Sequence, residues 1–174
     1  MNLPPKYTWL SDEPAPLMLL EALKLYGTLE VVGAGNNPVI LDWAKECDIK
    51  GYGEDSIPWC GLFMAVVAKR ASKDVAPSPL WARSWAAWGK ETLEAKLGDV
   101  LVFSRASGGH VGLYVAEDKH CYHVLGGNQG DAVSIARIEK VRCIAKRNDY
   151  RIRIPVNVRR VILDDSGTIS KNEK

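Results

Sequence analysis

Apolar and polar positions along the chain change rhythm once, near Gly98: before it apolar residues recur at helical intervals, and after it they alternate in short runs. Leu17, Leu20 and Leu23, with Leu19 and Ala22 beside them, predict a helix from Pro14 to Tyr26 that Gly27 stops. Residues 1–13 read as an irregular leader anchored by Trp9 and Leu10. Asn37 followed by Pro38 is an N-cap and first-turn pair, so a second helix runs to about Cys47 with Val39, Leu41, Trp43 and Ala44 on its buried faces. From Gly61 to Ala68 no residue is polar or charged. Pro58 suits a first helical position, which makes Ile57 the expected N-cap and sets Cys60 in the first turn. Leu80 to Trp88 predicts a short helix, ended by Gly89, with Trp81, Trp85 and Trp88 along one face.

Beyond Gly98 the runs Asp99–Arg105, His110–Ala116, Cys121–Gly127, Ala132–Ile138 and Val141–Arg147 are rich in strand formers and bounded by turn residues. Helices first and strands afterwards predict an α+β fold, its N-terminal helices packed on a mainly antiparallel sheet of about five to six strands. One domain is expected over 1–155. Residues 156–174 form an extension in which Val156–Leu163 adds a strand and Asp164–Lys174 is a mobile polar tail.

Composition changes this picture little. The 174 residues, 47% hydrophobic and 25% charged, suit a single globular monomer with its own core. Net charge is only +2 but unevenly spread, with four basic against nine acidic residues over 1–60 and nine against two over 137–160. The basic segment reads as a solvated face or a contact for an anionic polymer; nucleic acid is not favoured, because no recognition motif accompanies the charge. No apolar run approaches the roughly 18 residues of a membrane span, and no Sec-type leader is expected at the N-terminus, which implies synthesis in a cytoplasm. Cys47, Cys121 and Cys143 form no paired or zinc-ligand spacing and read as packing residues. Glu54 and Asp55 alone are thin grounds for calcium, so neither a metal nor a cofactor is expected.

Cys60 is the candidate nucleophile. Backbone N–H groups in a first helical turn lack intrahelical partners, and with the helix dipole they draw a thiol toward thiolate. Such a nucleophile needs a base and a group that orients the base. Of His110, His120 and His123, a hairpin centred near residue 119 selects His110. It places position 110 opposite 128 and puts His110, Gly112, Tyr114, Val124, Gly126 and Asn128 on one face. Gly112 and Gly126 then leave room for the Cys60 helix, and the Asn128 side-chain carbonyl can accept the imidazole N–H.

Pro58-Trp59-Cys60-Gly61-Leu62-Phe63, Leu97-Gly98-Asp99-Val100-Leu101-Val102-Phe103, Gly109-His110-Val111-Gly112-Leu113-Tyr114-Val115 and Gly126-Gly127-Asn128-Gln129 occur in the order seen in NlpC/P60-type cysteine peptidases. Over residues 14–147 the chain resembles compact phage- and prophage-associated members of that superfamily, which also contains the CHAP amidases. The resemblance implies a papain-like fold, a Cys–His–polar triad of Cys60, His110 and Asn128, and hydrolysis of an amide bond in bacterial peptidoglycan. The bond is either inside the stem peptide or the muramoyl–L-alanine amide. The pattern departs at Trp59-Cys60-Gly61, where typical members have Asp-Cys-Ser, and His123, thirteen residues after His110, competes with Asn128 for the third place. Trp59, Asp55 and Gln129 are expected to border substrate. A wall hydrolase without a leader would reach its substrate by phage lysis, on a virion or as a secreted effector. The same pair also suits a deamidase or acyltransferase acting on protein or lipid, and a non-catalytic wall-binding virion protein is the remaining alternative.

Overall fold

The computed structural model describes all residues except Met1, Ala34, Ser107, Asn172 and Lys174. Among the described residues three α-helices, α1 (Leu17–Lys24), α2 (Pro38–Glu46) and α3 (Cys60–Arg70), precede the sheet. Its seven strands are β1 (Lys90–Glu91), β2 (Val100–Arg105), β3 (Gly108–Glu117), β4 (Cys121–Gly126), β5 (Ser134–Glu139), β6 (Cys143–Asn148) and β7 (Ile169–Ser170). They lie in the order β1-β6-β2-β3-β4-β5-β7, antiparallel except for the parallel β5–β7 pair. The α+β class and the largely antiparallel sheet follow the sequence pattern.

Helix α2 starts as its sequence dictates, with the Asn37 side chain accepting the Val39 N–H at 2.9 Å. Val39, however, is exposed, and Ile40 takes its place beside Trp43 and Ala44 in the core. The leader is a 3-10 helix over Pro5–Asp12 that buries Tyr7 and Leu10. A second 3-10 helix, Ala82–Ala87, replaces the expected α-helix. At three residues per turn Trp85 and Trp88 share a face and are buried, whereas Trp81, four residues before Trp85, leaves it and is 66% exposed.

Helix α3 is buried at every position from Cys60 to Ala68, between α1 and α2 on one side and the sheet on the other. It begins later than expected. Trp59, not Ile57, is the N-cap, with φ −118° and ψ 15°, and its carbonyl accepts the Phe63 N–H at 2.9 Å. Pro58 therefore lies outside the helix and Cys60 is the first helical residue.

The sheet has two apolar faces. Val100, Val102, Val111, Leu113 and Leu125 pack with the helices. Leu101, Phe103, Tyr114, Tyr122, Val124 and Ile138 form a separate cluster on the other face. The C-terminal segment is tied to the body of the fold. Val156–Leu163 contributes only an isolated bridge between Ile162 and Glu117, while the expected tail supplies β7 and buries Glu173. Polar anchors explain its order: Lys6 binds Asp164 and Ser166, and Arg142 binds Ser170 and Glu173. Residues 172 and 174 of that expected tail lie outside the described residues.

Candidate active site

The thiol at the start of α3 meets the sheet at a strand edge. The β3–β4 pairing runs no further toward the start of β3 than Leu113 opposite Leu125, so β3 lacks its β4 neighbour near His110 and Val111. The Val111 backbone N–H reaches the Cys60 sulfur there, joined by the first-turn amides of Cys60 and Gly61. Gly61 has a steric reason to be glycine: a Cβ would lie 2.2 Å from the Pro79 carbonyl oxygen and 2.7 Å from that of Leu80. The departure from a serine at this position follows from that crossing backbone.

Cys60 is only 4% exposed, and burial pushes its thiol up, against the pull of the three amides and the nearby Arg105 charge. The expected lean toward thiolate is thus reversed in this closed form, because desolvation outweighs the helix start.

His110 sits in β3 opposite Phe103 of β2, their ring centroids 6.5 Å apart, on the face away from α3. The expected register holds nearby, with Leu113 opposite Leu125 and Tyr114 opposite Val124, before a bulge at Val115. What fails is its continuation beyond Gly126. Asn128 adopts a left-handed conformation at φ 55°, which turns the chain and returns Gln129 to the imidazole. His110 Nε2 lies 3.0 Å from Gln129 Oε1. Asn128 instead donates to Glu30 Oε2 at 3.3 Å, the carboxylate that also takes the Trp59 indole N–H at 3.0 Å. Gln129, not Asn128, therefore orients His110.

The Gln129 amide fixes the tautomer. Its nitrogen donates to the Val124 and Ser134 carbonyls at 3.1 and 2.6 Å, so its oxygen must be the atom facing His110. His110 therefore carries its proton on Nε2, and the buried Nδ1, which has no hydrogen-bond partner among the described residues, is the basic nitrogen. The thiol does not hydrogen-bond it in this conformation. Burial lowers the His110 pKa to about 4, although the Glu173 charge and the Gln129 bond work the other way, so the ring is neutral near pH 7.

Two consecutive glycines permit this meeting, for a different reason than expected. A Cβ on Gly126 would lie 3.0 Å from Gln129 Oε1 and 3.2 Å from His110 Nε2. One on Gly127 would lie 2.6 Å from the Phe63 Cβ and 2.7 Å from the Trp59 ring. The pair threads the chain between the start of α3 and the imidazole.

The remaining expected site residues serve the scaffold. Trp59 is fully buried against Trp43, with ring centroids 6.0 Å apart, and cannot wall a cleft. Asp55 is 1% exposed, and its Oδ2 accepts the Val31 and Asn37 N–H groups at 3.0 and 2.7 Å, which staples two loops rather than touching a ligand. His123 lies apart from His110, its Nε2 2.9 Å from Asp118 Oδ2 and its Nδ1 2.9 Å from the Tyr7 hydroxyl. Arg137 completes that network by donating to Asp118 at 2.8 Å. Sequence reasoning missed Arg142 and Glu173, whose charges reach His110, and nothing local in the sequence marks either residue.

Among the described residues no group of three or more His, Cys, Asp or Glu side chains is placed to hold a metal ion, and no helix is long and apolar enough to cross a membrane. No family model, curated protein or solved structure matches the chain.

Proposed function

We propose that the chain is a cysteine hydrolase of the NlpC/P60 type with a papain-like arrangement, cleaving an amide bond in bacterial peptidoglycan. One observation carries the reading: Gln129 holds the His110 proton on Nε2 and leaves Nδ1 bare, while the thiol that opens α3 is met by the N–H of Val111, the next residue along β3. An orienting group, a base of defined tautomer and a nucleophile at first-turn amides are the parts an acyl transfer requires. The resting pair is a neutral thiol and a neutral imidazole. Their contact, and access to the buried thiol, require an opening of the layers around Cys60 when substrate binds, as catalytic hydrogen bonds commonly tighten only around substrate.

In the first step His110 Nδ1 takes the Cys60 proton while the sulfur bonds to the amide carbon. The Cys60 and Gly61 N–H groups face the developing oxyanion; loss of one such donor typically costs roughly 10²–10³ in rate. His110 then passes its proton to the departing amine as the C–N bond breaks. Water, deprotonated by the same nitrogen, hydrolyses the thioester and frees the thiol. The wall substrate places the enzyme's work outside the cytoplasm after release or delivery.

Zymography on purified peptidoglycan tests the proposal. Wild type clears the wall and releases new amine termini, whereas Cys60→Ala and His110→Ala do not. Wall binding without cleavage by wild type would replace this reading with a binding module.

A further inference from the structure

Resting on that hydrolase reading, we propose that Arg142 is a carboxylate-binding residue of the site, and that Glu173 occupies it in place of the carboxylate of an acidic peptide substrate. The placement comes from the sheet. Cys143 lies opposite Phe103, and Phe103 lies opposite His110, so one row across β6, β2 and β3 ends at the imidazole. Arg142 precedes that row and is held by backbone. Its Nε donates to the Ser104 carbonyl at 3.2 Å, and one terminal nitrogen donates to the Ser170 carbonyl at 3.2 Å. The Ser104 anchor lies on β2 and does not depend on the segment that carries Glu173.

Glu173 fills it now. Two parallel hydrogen bonds of 2.8 and 2.6 Å join the guanidinium to the carboxylate, and the Ser170 hydroxyl adds a third at 3.0 Å. The Glu173 side chain is fully buried, rare for a glutamate. Its charge is felt at His110, and the Arg142 fork keeps the carboxylate below its usual range against the cost of burial. The strand that brings Glu173 here is short, pairing with β5 through Arg137–Ile169 and Ile138–Ser170. Arg105 lies opposite Gly108, two residues beyond Phe103, and so projects a second positive charge on the His110 face. Two cations and one displaceable acid beside a base form a subsite built for a carboxylate and closed by the chain's own.

Binding to the full-length Cys60→Ala protein tests this without turnover. The probes are the tripeptide L-Ala-γ-D-Glu-L-Lys and the same peptide with its glutamate α-carboxylate amidated. Adding Glu173→Gln is expected to tighten the acid by tenfold or more and to leave the amide within twofold. Adding Arg142→Gln to that protein is expected to abolish the difference; should it fail to fold, Arg142→Lys keeps the charge, loses the fork and carries the test. Equal binding of both probes by the Glu173→Gln protein, or binding of neither, overturns the proposal. NMR titration supplies a second measure: Glu173→Gln lowers the His110 pKa, and an unchanged value also counts against it. Turnover of whole wall separates the two readings. Discrimination without cleavage sinks only the hydrolase assignment, and cleavage without discrimination sinks only the carboxylate subsite.

Discussion

Gln129 takes the Nε2 proton of His110 across 3.0 Å while its own nitrogen is spent on two backbone carbonyls. The bond is directional in a way that a freely rotating amide would not be. Gln129→Ala is expected to lower kcat/KM on muropeptides by roughly 10²–10⁴, the range for losing the group that sets a catalytic tautomer. Asn128→Gly keeps the left-handed turn and that bond, and is expected to leave turnover within about threefold while lowering stability by roughly 1 kcal/mol. Steady-state kinetics of the two variants decide the matter; equal losses would return Asn128 to the site.

The neighbouring glycines separate activity from stability. Gly126→Ala presses on Gln129 Oε1 and His110 Nε2, whereas Gly127→Ala presses on Phe63 and Trp59. The first should lose most activity with a small change in melting temperature. The second should cost about 1–3 kcal/mol, as overpacking of a close-fitted contact does. Urea denaturation alongside an activity assay resolves the two effects.

Most of the fold was legible because it depends on local signals: the Asn37-Pro38 cap, the apolar run through Ala68 and alternation after Gly98 all act within a few residues. The hairpin register was legible beyond its turn: the pairing beside the turn, Ala116 opposite His123, is one residue off, and the bulge at Val115 restores the expected one. The third site residue was not. It turns on Asn128 entering a left-handed conformation, which extrapolated strand geometry does not contain. The face occupied by α3 was also misassigned, because glycines at 112 and 126 resemble a helix groove when they make room for a side chain. Glu173 was hidden for another reason: an acidic residue in a polar terminus carries no local sign that a distant Arg142 will bury it.

His123 should prove structural. His123→Ala breaks contacts to Tyr7 and Asp118, leaving a fully buried network with Arg137 half-satisfied. A loss of roughly 2–4 kcal/mol in unfolding free energy is expected, with kcat of the folded fraction retained. A kcat loss as large as that of Gln129→Ala would instead make His123 part of the reaction.

Two buried groups titrate in opposition. Burial raises the Asp99 pKa from 3.8 to about 7 and lowers that of His110 from 6.5 to about 4. The Asp99 contribution to stability is full below pH 3.8 and is lost as pH rises through about 7. That of His110 is full above pH 6.5 and is lost as pH falls through about 4. Where the windows overlap, each has a slope of up to about 1.4 kcal/mol per pH unit, of opposite sign. Asp99→Asn removes one slope, so its urea midpoint should climb from pH 4.5 toward 6.5 relative to wild type (~pH window set by the two groups). Parallel curves for the two proteins would show that Asp99 is ionised throughout.

Because α3 is enclosed on every side, its thiol is reachable only when neighbouring layers come apart. Cys47 and Cys143 are half-buried, whereas Cys60 and Cys121 are buried, so a small alkylating reagent should modify the chain in two stages. The slow stage clocks the opening of the molecule around Cys60 and Cys121, two built-in gauges of how often the fold breathes.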